Sequence, residues 1–133
     1  MNNLLPRLMF LLVMISLTLG SSFGNAQSQE EIVKTILSGS SRELAKYFNN
    51  TLALNMNNDS GDYSNNQAEL ILRDFFRKFP PKDFEVVHQG ESKETLWYFI
   101  GNYESEEADF KVLVKGKQEN EQLRIYSMDF KKE

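Results

Sequence analysis

The only histidine of the chain, His88, is the side chain best suited to proton transfer. Imidazole serves as a general base near neutral pH more readily than other side chains. His88 follows Phe84 and Val86 at alternate positions, so a regular strand would place all three on one apolar face. If that face lines a cavity, His88 acts as a general base or hydrogen-bonds a ligand. A lone histidine on an apolar face is more often structural, and the spacing identifies no triad partner for it.

A polar stretch beginning at Asn55 is a second candidate site, because its many side-chain oxygens could surround a cation. EF-hand loops need oxygen ligands at alternate positions, a glycine at the sixth position and a glutamate at the twelfth. Counted from Asn55, the sixth position is Ser60 and the twelfth is Asn66. Counted from Asn57, the sixth position is Asp62. Neither register fits, so the sequence predicts a polar turn here and no metal site.

Two carboxylates flanked by apolar residues complete the set of candidate groups. Asp74 is expected on the polar side of a helix, near Arg73 and Arg77. Asp129 follows Ile125 at an even spacing, so a regular strand would turn its carboxylate inward. The alternative is a surface position, where Arg124 and Lys131 could balance its charge. Neither carboxylate has a partner at a spacing that specifies acid–base catalysis, because such partners would come from different strands.

The composition excludes several classes of function. The 133 residues contain no cysteine and one histidine, which removes thiol catalysis, zinc–cysteine sites, iron–sulfur clusters and multi-histidine metal centres. We therefore expect no metal and no cofactor. With 15 basic and 19 acidic residues, the chain lacks the basic excess that is typical of nucleic-acid binders. Ten phenylalanines supply bulk for an apolar core.

The N-terminal segment has the three-part pattern of a secretory signal peptide. Arg7 precedes an apolar run over 8–19, and small residues at Gly24 and Ala26 mark the expected cleavage site. The run is shorter than the ~20 residues that a membrane-spanning helix needs. The sequence thus predicts a signal peptide over 1–26 and one domain over 27–133, periplasmic or secreted, with no membrane span. An uncleaved N-terminal anchor is the alternative.

Helical spacing dominates the first half of the predicted domain. Ser28 and Ser40 each begin a short helix through an S-x-x-E pattern, and Gly39 ends the first helix. A strand over 51–56 and the polar turn follow. A third cap at Ser64 then starts a longer helix, which a pair of prolines ends.

From Phe84 onward the apolar period changes to two, which predicts four strands over 84–89, 95–103, 108–115 and 123–130. Helices followed by an antiparallel meander predict an α+β domain with helices on one sheet face. The second of these strands is apolar on both faces, with Trp97 and Phe99 on one and Tyr98 and Ile100 on the other. The second face therefore favours a cover, which is either a dimer interface or another packed layer. The alternative is a few aromatic side chains left at the surface, since exposed apolar atoms are normal in folded proteins.

In this order the elements resemble the nuclear transport factor 2-like superfamily, also described as SnoaL-like or cystatin-like. More closely, the chain is similar to the domain of unknown function 4783 family of short exported bacterial proteins. The residues that carry the resemblance are Leu37-Ser-Gly39, Leu44-Ala-Lys-Tyr-Phe48, Tyr63-Ser64, Gln67-Ala68, Phe75-Phe76, His88-Gln-Gly90 and Tyr98-Phe-Ile-Gly-Asn-Tyr103. The resemblance implies a strongly bent antiparallel sheet wrapped around helices, a cone-shaped cavity and frequent homodimers.

The resemblance also implies where a site would lie. Enzymes of the superfamily often place an Asp or His base opposite a tyrosine inside the cone. Here His88 and one of Tyr98, Tyr103 or Tyr126 would take those parts, and Phe75 and Phe76 would help to close the cone. No motif fixes such a pair, and the superfamily includes carriers and adaptors as well as enzymes, so the fold alone does not give the function.

Three functions remain open at this point. The chain is rich in aromatic residues and poor in catalytic groups, which favours a non-catalytic exported binding module that holds a small apolar ligand or a protein partner. An accessory interaction subunit that acts through its sheet face is the first alternative. A small cofactor-free enzyme centred on His88 is the second.

Overall fold

The computed structural model describes residues 28–92 and 95–133, and the predicted signal peptide lies outside these ranges. Within these ranges, three helices and six strands form one α+β unit, which confirms the predicted class. In chain order they are α1 (Gln29–Ser38), α2 (Ser41–Ala45), β1 (Phe48–Met56), β2 (Asp59–Ser64), α3 (Asn65–Lys78), β3 (Asp83–Ser92), β4 (Leu96–Glu104), β5 (Asp109–Glu119) and β6 (Gln122–Lys132).

The helix ends follow the local sequence closely. The Ser64 side chain accepts a hydrogen bond from the Gln67 backbone, and the Gln67 side chain accepts one from the Ser64 backbone. This reciprocal pair forms the predicted capping box of α3. Gly39 ends α1 in the left-handed region, at φ +69°, as predicted. Ser28 is the exception, since its side chain makes no capping hydrogen bond.

The strands form a curved open sheet in the order β2-β1-β6-β5-β4-β3. Neighbouring strands are antiparallel throughout β3 to β6, as the predicted meander requires. The exception to the antiparallel pattern is the pairing of β1 with β6, which is parallel and joins the two ends of the described domain. The helices pack on one face of this sheet, which we call the inner face.

The strand β2 was not predicted, because its sequence DSGDYS has no apolar alternation. It pairs with β1 in a hairpin whose two turn residues are Asn57 and Asn58, with φ of +50° and +75°. Asparagine tolerates this left-handed conformation, and the twist of such turns matches that of paired strands. The polar stretch is thus a tight turn followed by an edge strand.

The core lies between the helices and the inner face. Its fully buried side chains come from both layers and include Ile32, Ile36, Leu44, Leu72, Phe99, Tyr103, Val112, Ile125, Met128 and Phe130. Trp97 and Phe99 lie near-parallel, with ring centroids 6.1 Å apart and an interplanar angle of 11°. The Trp97 ring covers Gly116 so closely that a Cβ there would lie 2.0 Å from it. Aromatic side chains thus make up much of this core.

Two irregularities change which face certain side chains occupy. The β3–β4 register shifts between Val86 and His88, so that His88 lies opposite Ile100 on the outer face. The prediction that His88 shares a face with Phe84 and Val86 is therefore wrong, because a bulge breaks the alternation of side chains. A second shift in the β5–β6 register leaves Met128 inward and fully buried.

The same shift in β6 decides between the two positions considered for Asp129 and turns its carboxylate away from the interior. Asp129 lies opposite Leu113 on β5 and opposite Asn55 on β1. The Asn55 side-chain amide donates to an Asp129 carboxylate oxygen at 3.3 Å. The pair belongs to the outer face, so its carboxylate is not available to the interior.

Candidate functional site

An aromatic pocket of about 280 Å³ opens at the C-terminal end of α3, on the inner side of the sheet. Its walls are Phe75 and Phe79 from α3 and its end, Phe110 from β5, and Phe130 and Met56 from neighbouring strands. Lys78, Lys132 and Asn57 also line it. Four phenyl rings and two ammonium groups around one small cavity suit a ligand with an apolar body.

The rings of the pocket hold one another in place. Phe75 is central, with its centroid 4.7 Å from that of Phe130 and 5.0 Å from that of Phe110. Phe79 lies 5.4 Å from Phe75 and 5.0 Å from Phe110, in tilted and edge-on arrangements respectively. Such geometries are favoured by the quadrupoles of aromatic rings. The walls therefore form a pre-arranged surface.

The end of α3 positions Phe79 as the partly buried wall of the pocket. Phe75 and Phe79 are four residues apart and so lie on one helix face. The Phe79 backbone N–H donates to the Phe75 carbonyl at 2.8 Å, and Pro80 follows at once. The Tyr103 hydroxyl donates a hydrogen bond to the Phe79 carbonyl oxygen. Tyr103 thus supports the pocket wall from behind.

Burial raises the pKa of Tyr103 well above its ordinary value, because the phenolate would have to exist in an apolar surrounding. Tyr103 is fully buried, and its ring packs 5.4 Å from Phe75. Its hydroxyl therefore remains a hydrogen-bond donor across the physiological pH range. This chemistry suits a structural support.

The mouth of the pocket is cationic. Lys78 places its Nζ 5.7 Å from the centroid of the Phe79 ring. Lys132 reaches the mouth from the end of β6, where its backbone N–H donates to Asn57 Oδ1 at 3.3 Å. Within residues 28–92 and 95–133 neither ammonium group forms an ion pair. Both are therefore available to an anionic group on a ligand.

The predicted site residues fall into separate surroundings. His88 and Tyr98 meet on the outer face, where His88 Nε2 and the Tyr98 hydroxyl lie 2.8 Å apart in a hydrogen bond. Phe76 lies in the core beside Phe75 and Tyr103. Tyr126 is half-buried at the irregularity of β6. The structure therefore pairs His88 with Tyr98 and brings neither Tyr103 nor Tyr126 to them; ligand binding by these residues stays a prediction.

The His88–Tyr98 pair stands on the edge of the sheet and is accessible. His88 is exposed, and the Tyr98 ring lies across Gly90, where a Cβ would come within 2.6 Å of it. The segments His88-Gln-Gly90 and Tyr98 to Tyr103 thus meet in space. The inner-face pocket and this pair lie on opposite sides of the sheet, so they cannot share one small ligand.

Sequence reasoning missed most of the pocket. Phe79, Phe110, Phe130, Lys78 and Lys132 come from three elements whose ends meet only in the folded chain. The signal that was present is the spacing of Phe75 and Phe79 beside a lysine. Among the described residues, His, Asp and Glu side chains nowhere gather in a group of three that would suit a metal ion. No helix in those ranges has the length and apolarity to cross a bilayer.

Comparison with known proteins identifies the family. The family model called domain of unknown function (DUF4783) matches residues 29–131. The chain belongs to the DUF4783 family. No curated protein matches the chain.

Solved structures of DUF4783 proteins share the fold. A family member from Bacteroides uniformis is 23% identical, with a TM-score of 0.76, and the match covers 80% of this chain and 98% of that one. A member from Bacteroides ovatus is 24% identical, with a TM-score of 0.73 and coverage of 86% and 98%. An NTF-2-like protein of unknown function from Silicibacter pomeroyi is 11% identical, with a TM-score of 0.57 and coverage of 78% and 88%. The resemblance to this DUF4783 family and to nuclear transport factor 2-like folds is confirmed.

Proposed function

We propose that this DUF4783 protein is a non-catalytic binding module, exported after cleavage near Ala26, whose aromatic pocket holds a small apolar molecule ending in an anionic group. The observation that carries the proposal is the combination of four phenyl walls with Lys78 and Lys132 at one mouth. The apolar body of the ligand lies against Phe75 and Phe79, and its acid meets the two ammonium groups. An apolar surface fixed in advance costs little reorganisation on binding.

The pocket favours binding over catalysis because its polar groups do not include a proton-transfer pair. Lysine ammonium groups and the Asn57 amide can orient a ligand, whereas the hydroxyl that supports the wall is occupied by the Phe79 carbonyl. The imidazole of His88 lies on the other face of the sheet. We therefore expect the pocket to hold its ligand without converting it.

Isothermal titration calorimetry with 2-naphthoate tests the proposal, and naphthalene-2-carboxamide serves as its uncharged analogue. We expect 2-naphthoate to bind the more tightly of the two. Phe79→Ala should weaken the binding of 2-naphthoate by about tenfold, because it removes one aromatic contact and the apolar area of that ring. Lys78→Gln and Lys132→Gln should each weaken it by about two- to fivefold, as expected for exposed ion pairs.

Lys115→Gln is the matched control, because Lys115 is an exposed lysine on the outer side of β5. It should leave the affinity for 2-naphthoate unchanged. Equal affinity for the acid and the carboxamide would contradict the anionic part of the proposal. Failure of Phe79→Ala to weaken either ligand would contradict the pocket itself.

A second candidate function is an accessory subunit that binds a protein partner, or a second copy of itself, through the outer face. The observation that favours it is a row of apolar side chains along β4, formed by Leu96, Tyr98 and Ile100, with Leu113 beside Ile100. These side chains remain partly exposed, and Leu96 is 38% exposed. Contiguous apolar surface of this kind often marks a contact.

Sedimentation velocity at micromolar concentration distinguishes this candidate when Ile100→Lys is compared with Leu70→Lys. Leu70 is an exposed leucine on α3, away from the outer face. Self-association that is lost in Ile100→Lys and kept in Leu70→Lys supports a homodimer through β4. A monomer in all three proteins contradicts the homodimer and leaves a different partner as the remaining form of this candidate.

A further inference from the structure

A second cavity lies far from the aromatic pocket, between α2 and the first half of α3. This α2–α3 groove has a volume of about 560 Å³ and is lined by Arg42, Lys46, Asn65, Glu69, Leu70 and Arg73. The aromatic pocket is at the other end of α3, so the two cavities share no lining residue. The groove is therefore a separate candidate binding site.

The groove is cationic in a chain whose acidic residues outnumber its basic ones. Its lining contains three cationic side chains, Arg42, Lys46 and Arg73, and Glu69 is the one lining carboxylate. Within the described ranges Arg42 forms no ion pair, and Lys46 pairs only with the exposed Glu43, at 3.0 Å. The first turn of α3 adds the positive end of the helix dipole. The local field thus attracts an anion.

Glu69 adds a hydrogen-bond acceptor to the cationic groove. Its side chain is only 12% exposed, and its Oε1 accepts a hydrogen bond from Arg73 Nη2 at 2.6 Å. Its Oε2 is buried and has no hydrogen-bond partner among residues 28–92 and 95–133. Because a buried carboxylate oxygen without a donor is costly, a ligand that enters between the helices and brings an N–H or O–H to this atom would offset that cost.

Two further side chains of the groove limit which ligand it can bind. Asn65 donates its side-chain amide to the Ala45 carbonyl at 3.0 Å, which holds α2 against α3 and fixes the shape of the groove. Leu70 is 52% exposed and offers an apolar contact beside the charged groups. The groove thus presents cations, one acceptor and one apolar side chain together.

We propose that the α2–α3 groove binds a small carboxylate that carries an N–H or O–H donor next to the acid and a short apolar side chain. The guanidinium groups of Arg42 and Arg73 hold the carboxylate, because their forked donors match its two oxygens. Glu69 accepts the hydrogen bond from the adjacent donor, and Leu70 contacts the apolar side chain. A free hydroxy acid and the carboxyl end of a peptide share this chemistry.

A titration followed by ¹H–¹⁵N NMR tests the proposal with four probes built on one carbon skeleton. These are 2-hydroxy-4-methylpentanoate, N-acetyl-L-leucine, 4-methylpentanoate and the methyl ester of N-acetyl-L-leucine. The first two have acid and donor, the third lacks the donor and the fourth lacks the charge. For the first two probes we expect saturable shifts at the amides of Asn65 and Asn66. Their affinities should exceed those of the other two probes by about tenfold, because one charge-assisted hydrogen bond contributes about that much.

The relative affinities identify the source of the ligand. Tighter binding of 2-hydroxy-4-methylpentanoate indicates a free hydroxy acid, and tighter binding of N-acetyl-L-leucine indicates a peptide carboxyl end; either result supports the proposal. Shifts at Phe79 and Asn57 instead of Asn65 and Asn66 would place these acids in the aromatic pocket and overturn it. Equal binding of the ester would overturn it as well.

Arg42→Gln is the decisive variant, and Arg77→Gln is its matched control. Arg77 is an exposed arginine on α3 that pairs with Asp74 at 3.8 Å and does not line the groove. Arg42→Gln should weaken 2-hydroxy-4-methylpentanoate by about tenfold, while Arg77→Gln leaves it unchanged. Equal effects of the two variants would show that only overall charge matters and would overturn the proposal.

Glu69→Gln tests the acceptor independently of the charge. The amide can still accept from Arg73, but it presents an NH₂ group where Oε2 stood. We expect this variant to bind N-acetyl-L-leucine no better than 4-methylpentanoate, because an amide N–H only donates and cannot accept from the new NH₂ group. If the preference for N-acetyl-L-leucine survives, Glu69 does not receive its donor and the proposal fails. Unchanged chemical-shift dispersion of the variant shows that it is folded.

Discussion

Tyr98 and Tyr103 lie on the same strand, β4, and the two faces of the sheet give their hydroxyl groups different surroundings. Tyr103 is fully buried on the inner face and donates its hydroxyl to the Phe79 carbonyl, at the wall of the aromatic pocket. Tyr98 is half-buried on the outer face and is hydrogen-bonded to the exposed His88. The inner hydroxyl supports a wall, whereas the outer one joins an accessible pair. Changes to the inner face should therefore cost stability that changes to the outer face do not.

Phe75→Ala should show the largest effect, because Phe75 packs on five aromatic rings, which come from α3, its C-terminal end and the inner face of the sheet. Removing a buried phenyl ring leaves a cavity and lowers the free energy of unfolding by about 3–5 kcal/mol. Urea unfolding followed by the fluorescence of Trp97, the only tryptophan, measures it. Leu70→Ala on the exposed side of α3 is the control and should change it by less than about 0.5 kcal/mol. A loss below the control value would contradict the central position of Phe75.

Two glycines offer a matched pair across the sheet. A methyl group at Gly116 would come within 2.0 Å of the buried Trp97 ring, whereas one at Gly90 would meet the half-buried Tyr98 ring at 2.6 Å. Gly116→Ala should lower the free energy of unfolding by about 1–3 kcal/mol, because the packed core cannot yield. Gly90→Ala should lower it less, since the Tyr98 ring can turn toward solvent. Equal losses in urea unfolding would show that the two faces are equally rigid.

The decrease in the free energy of unfolding at alkaline pH should depend on Tyr103. Its pKa is raised in the folded protein, so above pH ~10 the unfolded chain releases this proton while the folded chain keeps it. The unfolded state then binds fewer protons, and stability falls by about 1.4 kcal/mol per pH unit from this group. Tyr103→Phe should remove that contribution, although it is less stable at neutral pH because the Phe79 carbonyl loses its donor. Parallel alkaline slopes for both proteins in urea unfolding would contradict this.

Tyr98→Phe should show the smallest effect. It removes the hydrogen bond to His88, but both groups are accessible to water, so the free energy of unfolding should change by less than about 0.5 kcal/mol. The affinity for 2-naphthoate should also stay the same, since the pocket is on the other side of the sheet. A loss of stability as large as that of Tyr103→Phe would mean that the outer face is covered in solution.

Much of the fold can be predicted from local signals. Ser64 with Gln67 and the left-handed Gly39 mark helix ends by chemistry that acts over a few residues, and the structure forms both. The second half of the chain alternates strongly enough to predict its strands. The edge strand β2 cannot be predicted in this way, because its own side chains are polar and its stability comes from pairing with β1.

The site was less predictable, because it depends on register and on distant contacts. A regular alternation of side chains would place His88 and Asp129 on the wrong face for one reason: each follows an irregularity that inserts an extra residue. The sequence predicts that Phe75 and Phe76 both close the cone, whereas of the two Phe75 alone lines the pocket. Adjacent aromatic residues on a helix point in different directions, and only the packed sheet decides which of them meets Phe110 and Phe130.

The irregularity in β3 has a further consequence at the margin of the sheet. An open sheet ends in strands with unpaired backbone groups, which are templates for the strands of other molecules. Here one edge is β2, short and carrying Asp59 and Asp62, and the other is β3, interrupted near Val87. Both edges are poor templates, so the molecules can crowd together without their sheets joining into fibrils. The interruption that turns His88 outward therefore also limits aggregation.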